Sequence, residues 1–544
     1  MANFIYDMGF ENFERLEELK WSLGYAIARG LFMKSDSELF IDYTGGDKSF
    51  SGLETLSIAL GMRDIVAKAT QKPRIGIALP PSLAAAAANY ACVFCGKTPV
   101  NLNFTMGPAA AKSCMETAGI DTVLTLEFMR KKIADANPHF PWPEKVLDVS
   151  ECLLNTAARA RIGGMGLEEI CAKYGIDRRA GNRGEGTLIF TSGSEGAPKA
   201  AVLTGRNIIA NSTQVRISEV FAPNDLLLGN LPVFHSFGLL FEVWHAAIAG
   251  QRTLLLASPI DIKTNLRAIR ERKPTVMIGS PTFFRAYVRH ADSGDLKSLR
   301  RAIAGAEKTP HGFHETWDAA FGGQSYKEGY GLTEATPVVG VNLDDKDFGW
   351  FTTGTRRGSI GKLFPGMQAR ILHPGTREPL PWGEQGLLSL RGANVFAGYL
   401  GREDATKEAL DGEWLVTGDL SRLDKDGFLY VDGRLSRFSK IGGEMVPHAT
   451  VEAALAKALG LDGGDIPLLA VSARLDEDKG EALVLVSAVD IELHTAREKL
   501  REAGISNLWM PKYVVRTESI PLLPSGKLDL KALARLAAQD ADAL

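Results

Sequence analysis

Residues 187–200 read TLIFTSGSEGAPKA, an apolar β-rich run followed by a loop of hydroxyl residues, glycines and one lysine. Glycines let backbone N–H groups approach an anion and lysine adds a point charge, so the stretch suits a phosphate cradle. It departs from the Walker A pattern, because Ala197 and Pro198 stand between Gly196 and Lys199 where that pattern joins glycine directly to lysine. Glu195 lies in the middle of the loop, and its charge repels a polyphosphate unless a cation intervenes or the side chain turns away. A Gly/Ser turn after a strand is also ordinary punctuation, so the rest of the chain decides between the readings.

Working outward, apolar β-rich runs alternate with helical patterns from about Lys72 onward: RIGIALP, DTVLTL, RTLLLA and TVMIGS each precede a helix. In the last pair Ser280 can cap the helix and Pro281 can occupy its first turn. Repeated strand-then-helix units predict an α/β fold with parallel-type sheets flanked by helices. After Gly358 the texture becomes short strands and turns, with DG pairs at Asp411-Gly412, Asp426-Gly427 and Asp432-Gly433 expected at reversals. This predicts a β-rich subdomain at about 358–435 within a large N-terminal domain (1–435), and a small α+β C-terminal domain (436–544).

A chain of 544 residues exceeds one ordinary core at about 150 residues per domain. Hydrophobic content of 45% with 23% charged residues matches globular usage. A net charge of −3 gives no electrostatic reason to expect nucleic acid or an anionic membrane as the main partner. Five scattered cysteines (Cys92, Cys95, Cys114, Cys152 and Cys171) argue for a reducing compartment, and the Cys92/Cys95 pair sits in NYACVFCG, an apolar helix pattern without a second metal-ligand pair. The first residues, MANFIYDMGFENFERLEE, lack the basic start of a signal peptide. The run SLAAAAANYACVFCG is too short to span a bilayer. Cytoplasmic residence without a transmembrane segment is the expectation, with peripheral membrane contact left open.

Four further motifs change the odds for the loop: YKEGYGLTEATP (326–337), LVTGD ending at Asp419, GRLSRFSKIGGEMV (433–446) and LPSGK ending at Lys527. With these, in this order, the whole chain resembles the adenylate-forming superfamily of acyl-CoA synthetases, peptide-synthetase adenylation domains and luciferases. Within it, FTSGSEGAPK, FHSFGL, AGAEK, RFSKIGGEMV, DKGEALVL and IPLLPSGKLD are most similar to the acyl-[acyl-carrier-protein] synthetase half of the bifunctional 2-acylglycerophosphoethanolamine acyltransferase. An HxxxxD formed by His290 and Asp295 lies in a polar turn of the adenylating region and reads as coincidence.

The resemblance implies ATP and Mg²⁺ as cofactors, a fatty acid substrate, and transfer of the acyl group to acyl carrier protein; the alternatives are a ligase joining a fatty acid or other carboxylic acid to coenzyme A and, from another class, a non-catalytic nucleotide-binding relative. It implies that Thr191, Ser192, Gly193, Ser194, Glu195, Gly196 and Lys199 surround the β- and γ-phosphates. Thr333 would meet the α-phosphate. Glu334 would bind magnesium with Thr191 nearby, since a hard cation takes carboxylate oxygen and substrate phosphates complete its shell. Gly305, Ala306, Glu307, Tyr330 and Gly331 would hold adenine, Asp419 the ribose, and Arg434 the ribose or a phosphate. Lys527 would be the catalytic lysine bridging carboxylate and α-phosphate. His235 would gate the acyl pocket, or else be a packed histidine at a strand end. The C-terminal domain would be mobile about Ser436, where relatives more usually carry aspartate or lysine, and Gly442 and Gly443 would line the thiol tunnel. Glu195 replaces the more usual threonine, and Ala200 the more usual glycine.

Overall fold

The computed structural model describes residues 9–154, 162–191, 198–292, 294–310, 312–322, 325–441, 444–462, 466–476, 480–522 and 528–539. These residues form two compact units. The first holds the chain up to Thr417 together with Arg422–Tyr430, and the second holds Gly418–Ser421 and the chain from Val431 onward.

The alternating pattern produces two large sheets in the first unit. In one, the strands Lys145–Asp148, Thr122–Thr125, Arg74–Ile77, Thr98–Asn101 and Glu185–Thr191 run parallel in that spatial order, and Lys199–Thr204 closes the edge antiparallel to Glu185–Thr191. In the other, Ser325–Gly331, Arg301–Ala304, Val276–Gly279, Leu226–Gly229, Arg252–Leu255 and Glu38–Asp42 run parallel, with antiparallel strands at both edges. The inner strands are continuous apolar runs because both faces are covered; Thr122–Thr125 and Val276–Gly279 are buried throughout. Helix Pro281–His290 begins as expected, with the Ser280 hydroxyl accepting from Phe283 N–H and Pro281 in the first turn. It packs Phe284 and Tyr287 against Trp317 and Tyr326 in one aromatic core cluster. Cys92 is a buried free thiol in helix Leu83–Phe94, as the apolar pattern implies. Asp295 accepts two hydrogen bonds from Arg270, at 2.6 and 2.7 Å, which gives half of the HxxxxD a structural role.

In the β-rich stretch, Met367–Leu372 pairs antiparallel with Gly386–Gly392. Asp411-Gly412 and Asp426-Gly427 sit at reversals, with both glycines at positive φ. Asp432-Gly433 departs from expectation, because it lies inside the strand Leu429–Arg434. Gly433, at φ 149°, uses its freedom to lead the strand into the 3₁₀ turn Leu435–Arg437 instead of reversing it.

The second unit carries a sheet of Glu444–Pro447, Phe438–Ile441, Gly480–Ser487 and Leu469–Asp476, with Tyr513–Arg516 parallel to Gly480–Ser487. Alternation along the paired strands Leu469–Asp476 and Gly480–Ser487 divides its core. Leu469, Val471, Leu483 and Leu485 pack with Val451, Leu455 and Leu500 of helices His448–Ala458 and Leu493–Glu502. On the other face Ala470, Val484 and Val486 pack with Leu533 and Ala537 of helix Leu530–Ala537. Among the described residues no helix is long and apolar enough to cross a membrane.

Candidate active site

In the first unit the expected residues gather at the carboxyl ends of parallel strands, where open α/β sheets bind ligands. Gly305, Ala306 and Glu307 follow the strand Arg301–Ala304. Ala306 is left-handed at φ 67°, an uncommon conformation for a residue with a side chain. Glu307 accepts a hydrogen bond from the Thr282 hydroxyl at 2.6 Å. Tyr330 and Gly331 close the strand Ser325–Gly331, and the 3₁₀ turn Thr333–Ala335 follows. A side chain at Gly331 would collide with the Pro337 carbonyl, so glycine is required for this tight crossing.

The segment after Leu226–Gly229 brings its own groups to the same place. The hydroxyls of Ser236 and Thr333 lie 3.2 Å apart, and a Cβ on Gly305 would stand 3.3 Å from the Phe237 ring. His235 is exposed, with its ring 4.8 Å from that of Phe234, so the packed-histidine alternative does not hold. The packed histidine is His245, whose Nδ1 lies 3.0 Å from the Ser212 hydroxyl. Burial, with the nearby charge of Arg216, lowers its pKa to about 3, which keeps it neutral. Leu239–His245 is a π-helix, and within it Glu242 is fully buried. The Glu242 carboxyl accepts the Leu231 N–H at 2.7 Å, and burial raises its pKa well above the ordinary carboxylate value. Beside this segment, Phe190, Phe234, Phe140 and Met106 line a small depression together with Asn101 and Asn103.

The Thr333–Glu334 turn is held from behind by buried amides. The Asn394 side-chain amide donates to the Ala335 carbonyl at 2.8 Å, and the Asn394 backbone carbonyl accepts from the Thr336 hydroxyl at 2.7 Å. Asn211 exchanges two hydrogen bonds with the Val338 backbone, at 2.8 and 3.0 Å. Such groups are costly to bury unless satisfied, so the lattice fixes the turn's backbone. The Glu334 Oε1 accepts from the Tyr399 hydroxyl at 2.6 Å. Lys199 opposes Thr191 across the hairpin, and its ammonium lies 5.2 Å from the centroid of the same tyrosine ring.

The second unit carries the remaining expected groups. Asp419 is buried and pairs with Arg434, Nε to Oδ1, at 2.9 Å. Ser436 sits in the turn Leu435–Arg437. Its neighbour Arg437 donates to Glu452 at 2.6 Å, and Glu452 accepts the Val471 N–H at 2.6 Å. Ser192, Gly193, Ser194, Glu195, Gly196, Gly442, Gly443 and Lys527 lie outside the described residues. Sequence reasoning missed Tyr399, Asn394, Asn211 and Glu242, none of which belongs to a chemistry-bearing motif.

A sequence profile described as AMP-binding enzyme matches residues 36–400. Over 367 residues the chain is 29% identical to 4-coumarate–CoA ligase-like 9 of Arabidopsis thaliana, covering 64% of this chain and 62% of that protein, less than two thirds of its length. It is 32% identical to feruloyl-CoA synthase of an Amycolatopsis species over 346 residues, 63% of this chain and 67% of that one. The structure of O-succinylbenzoate coenzyme A synthetase from Bacillus subtilis in complex with ATP and magnesium ion superimposes with a TM-score of 0.75 at 21% identity, covering 94% of this chain and 99% of that one. The chain therefore belongs to the AMP-binding enzyme family.

Proposed function

We propose that the protein is an ATP- and magnesium-dependent acid–thiol ligase. A substrate carboxylate oxygen attacks the α-phosphorus of ATP and pyrophosphate leaves. A thiolate sulfur then attacks the acyl carbon and AMP leaves. The observation that carries this reading is the grouping of Lys199 and Glu334 on Tyr399, with Thr333 next to Glu334, within the stretch that the family profile matches.

The residues present fit the nucleotide and the metal. Lys199 offers a cation to the β- and γ-phosphates, and Thr333 a hydroxyl to the α-phosphate. Among the described residues no cluster of three metal-ligating side chains occurs. Magnesium bound with substrate phosphates needs only one or two carboxylates and keeps its waters, a demand that Glu334 meets. Bound magnesium would neutralise charge on the leaving pyrophosphate. Adenine is assigned to Gly305–Glu307 and Tyr330, ribose to Asp419 and Arg434, and the bridging cation to Lys527.

We assign the domains as 1–435 and 436–544, with Ser436 as the hinge between adenylation and thiol transfer and Gly442 and Gly443 as the thiol passage. His235, exposed beside Phe234, is assigned to gating. A fatty acid is the substrate favoured by the likeness of the segments FTSGSEGAPK and IPLLPSGKLD, and an aromatic acid is the second reading, supported by the names of the relatives. Coenzyme A is the favoured acceptor, supported by the names of both curated relatives. Acyl carrier protein is the second reading, supported by the likeness of the segments FTSGSEGAPK and IPLLPSGKLD.

Carboxylate-dependent ATP–pyrophosphate exchange over a panel of fatty and aromatic acids tests the first step. Thioester formation with coenzyme A and holo carrier protein in parallel tests the second. Exchange with at least one acid and faster thioester formation with coenzyme A are expected. No exchange with any acid defeats the reading, and turnover with carrier protein alone reverses the choice of acceptor.

A further inference from the structure

Tyr399 belongs to no phosphate, metal or lysine motif of the sequence, yet Lys199 and Glu334 both rest on it. Its hydroxyl donates to Glu334 Oε1 at 2.6 Å, and the Lys199 ammonium faces its ring, 5.2 Å from the centroid. The backbone around it is bonded to both neighbours. Phe396 N–H donates to the Glu334 carbonyl at 2.9 Å. On the other side Ala397 N–H donates to the Val202 carbonyl at 3.0 Å, Val202 N–H to the Gly398 carbonyl at 2.9 Å, and Leu400 N–H to the Ala200 carbonyl at 2.9 Å. Tyr399 N–H donates to the Thr406 hydroxyl at 2.9 Å, which fixes the tyrosine itself. Residues 396–400 are thus a strut between the strand that begins with Lys199 and the turn that presents Glu334.

We propose that Tyr399 is a positioning residue that holds Glu334 ready for a divalent cation and Lys199 ready for a polyphosphate, and keeps the two from neutralising each other. This rests on the reading above and adds a residue to it. A lysine and a glutamate within reach of one tyrosine would, if unrestrained, pair with each other, and the ion pair would compete with both ligands. The hydroxyl uses one of the roughly four lone-pair positions of the carboxylate and leaves the others for a cation. The ring face holds the ammonium by a weak contact that a polyphosphate displaces readily. Each side chain is ordered before the ligand arrives, which lowers the entropy lost on binding.

The test measures binding, with Mn²⁺ as the metal probe and α,β-methylene-ATP as the nucleotide. Free Mn²⁺ is read by electron paramagnetic resonance, and nucleotide affinity by calorimetry with and without metal. Tyr399→Phe keeps the ring and loses the hydroxyl. It is expected to weaken Mn²⁺ binding to the nucleotide complex by about threefold to tenfold while metal-free nucleotide affinity stays within about twofold. Tyr399→Leu loses both contacts and is expected to weaken both affinities. Equal loss of both affinities in Tyr399→Phe would mark a merely structural tyrosine, and unchanged Mn²⁺ affinity would also overturn the proposal, the ligase reading standing in either case. A wild-type protein that holds neither nucleotide nor Mn²⁺ would instead defeat the ligase reading and the proposal with it.

Discussion

Arg434 donates its Nε–H to Asp419 Oδ1 at 2.9 Å, with the carboxylate side chain 5% exposed and the guanidinium 54% exposed. The asymmetry matters: a solvated arginine loses little when its partner goes, whereas a buried carboxylate aimed by that arginine is an oriented acceptor. Asp419→Ala is therefore expected to raise the Michaelis constant for ATP in pyrophosphate exchange by about tenfold, in line with loss of hydrogen bonds to a charged group. Arg434→Ala should raise it less. An Asp419→Ala protein with an unchanged constant would remove the ribose assignment.

Arg437 is tied into the second unit through Glu452 and the backbone of Val471, donating to the Val471 carbonyl at 3.2 Å. With Ser436 as the proposed hinge, a rotation there would carry Arg437 with its own sheet. Ser436→Pro fixes φ there. It is expected to leave pyrophosphate exchange within about threefold and to lower overall thioester formation by tenfold or more, roughly the weight of blocking one conformational step. Equal losses in the two assays would place the hinge elsewhere.

The parallel sheets were legible because their strands are buried on both faces and their helices carry local start signals, as at Ser280 and Pro281. The turn at Asp432-Gly433 was misread because a DG pair specifies backbone freedom, and a strand leading into a 3₁₀ turn can use that freedom as well as a reversal can. Thr333 and Glu334 are singled out by the resemblance that the contiguous motif YKEGYGLTEATP carries. Tyr399, Asn394 and Asn211 are not, since their value lies in hydrogen bonds to residues 65, 59 and 127 positions away. No local pattern encodes such a partner. The sequence pattern leaves His235 open between a pocket gate and a packed histidine at a strand end, and the fold removes the second by exposing it and burying His245 instead.

Lys527 is assigned to charge that develops only as carboxylate and α-phosphate join, so its removal should cost turnover more than binding. Lys527→Ala is expected to lower pyrophosphate exchange by at least about a hundredfold, the lower end for loss of one preorganised electrostatic group. ATP affinity, measured by calorimetry, should stay within a few-fold. Exchange close to wild type would defeat the assignment.

Glu242 gives the first unit a pH dependence opposite to that of its buried histidine. The Glu242 side chain is fully buried, and Oε2 has no hydrogen-bond partner among the described residues. Its folded-state pKa is raised above the ordinary 4.5 by burial, against the opposing backbone N–H groups of Leu231 and Asn230. Above pH 4.5 the unfolded chain loses a proton that the folded chain keeps, so stability falls as pH rises toward the folded pKa, by up to about 1.4 kcal/mol per pH unit. His245 and, in the second unit, His448 are both lowered from 6.5 to about 3, chiefly by burial. Their contribution is present above 6.5 and lost as pH falls toward 3. Glu242→Gln keeps an acceptor for Leu231 N–H, does not titrate, and leaves both histidines in place, so comparing melting temperatures isolates the carboxyl. The variant is expected to melt higher than wild type at pH 8, with the gap closing as the pH approaches 4.5. Parallel melting curves across that range would mean that Glu242 is not held neutral in the folded protein.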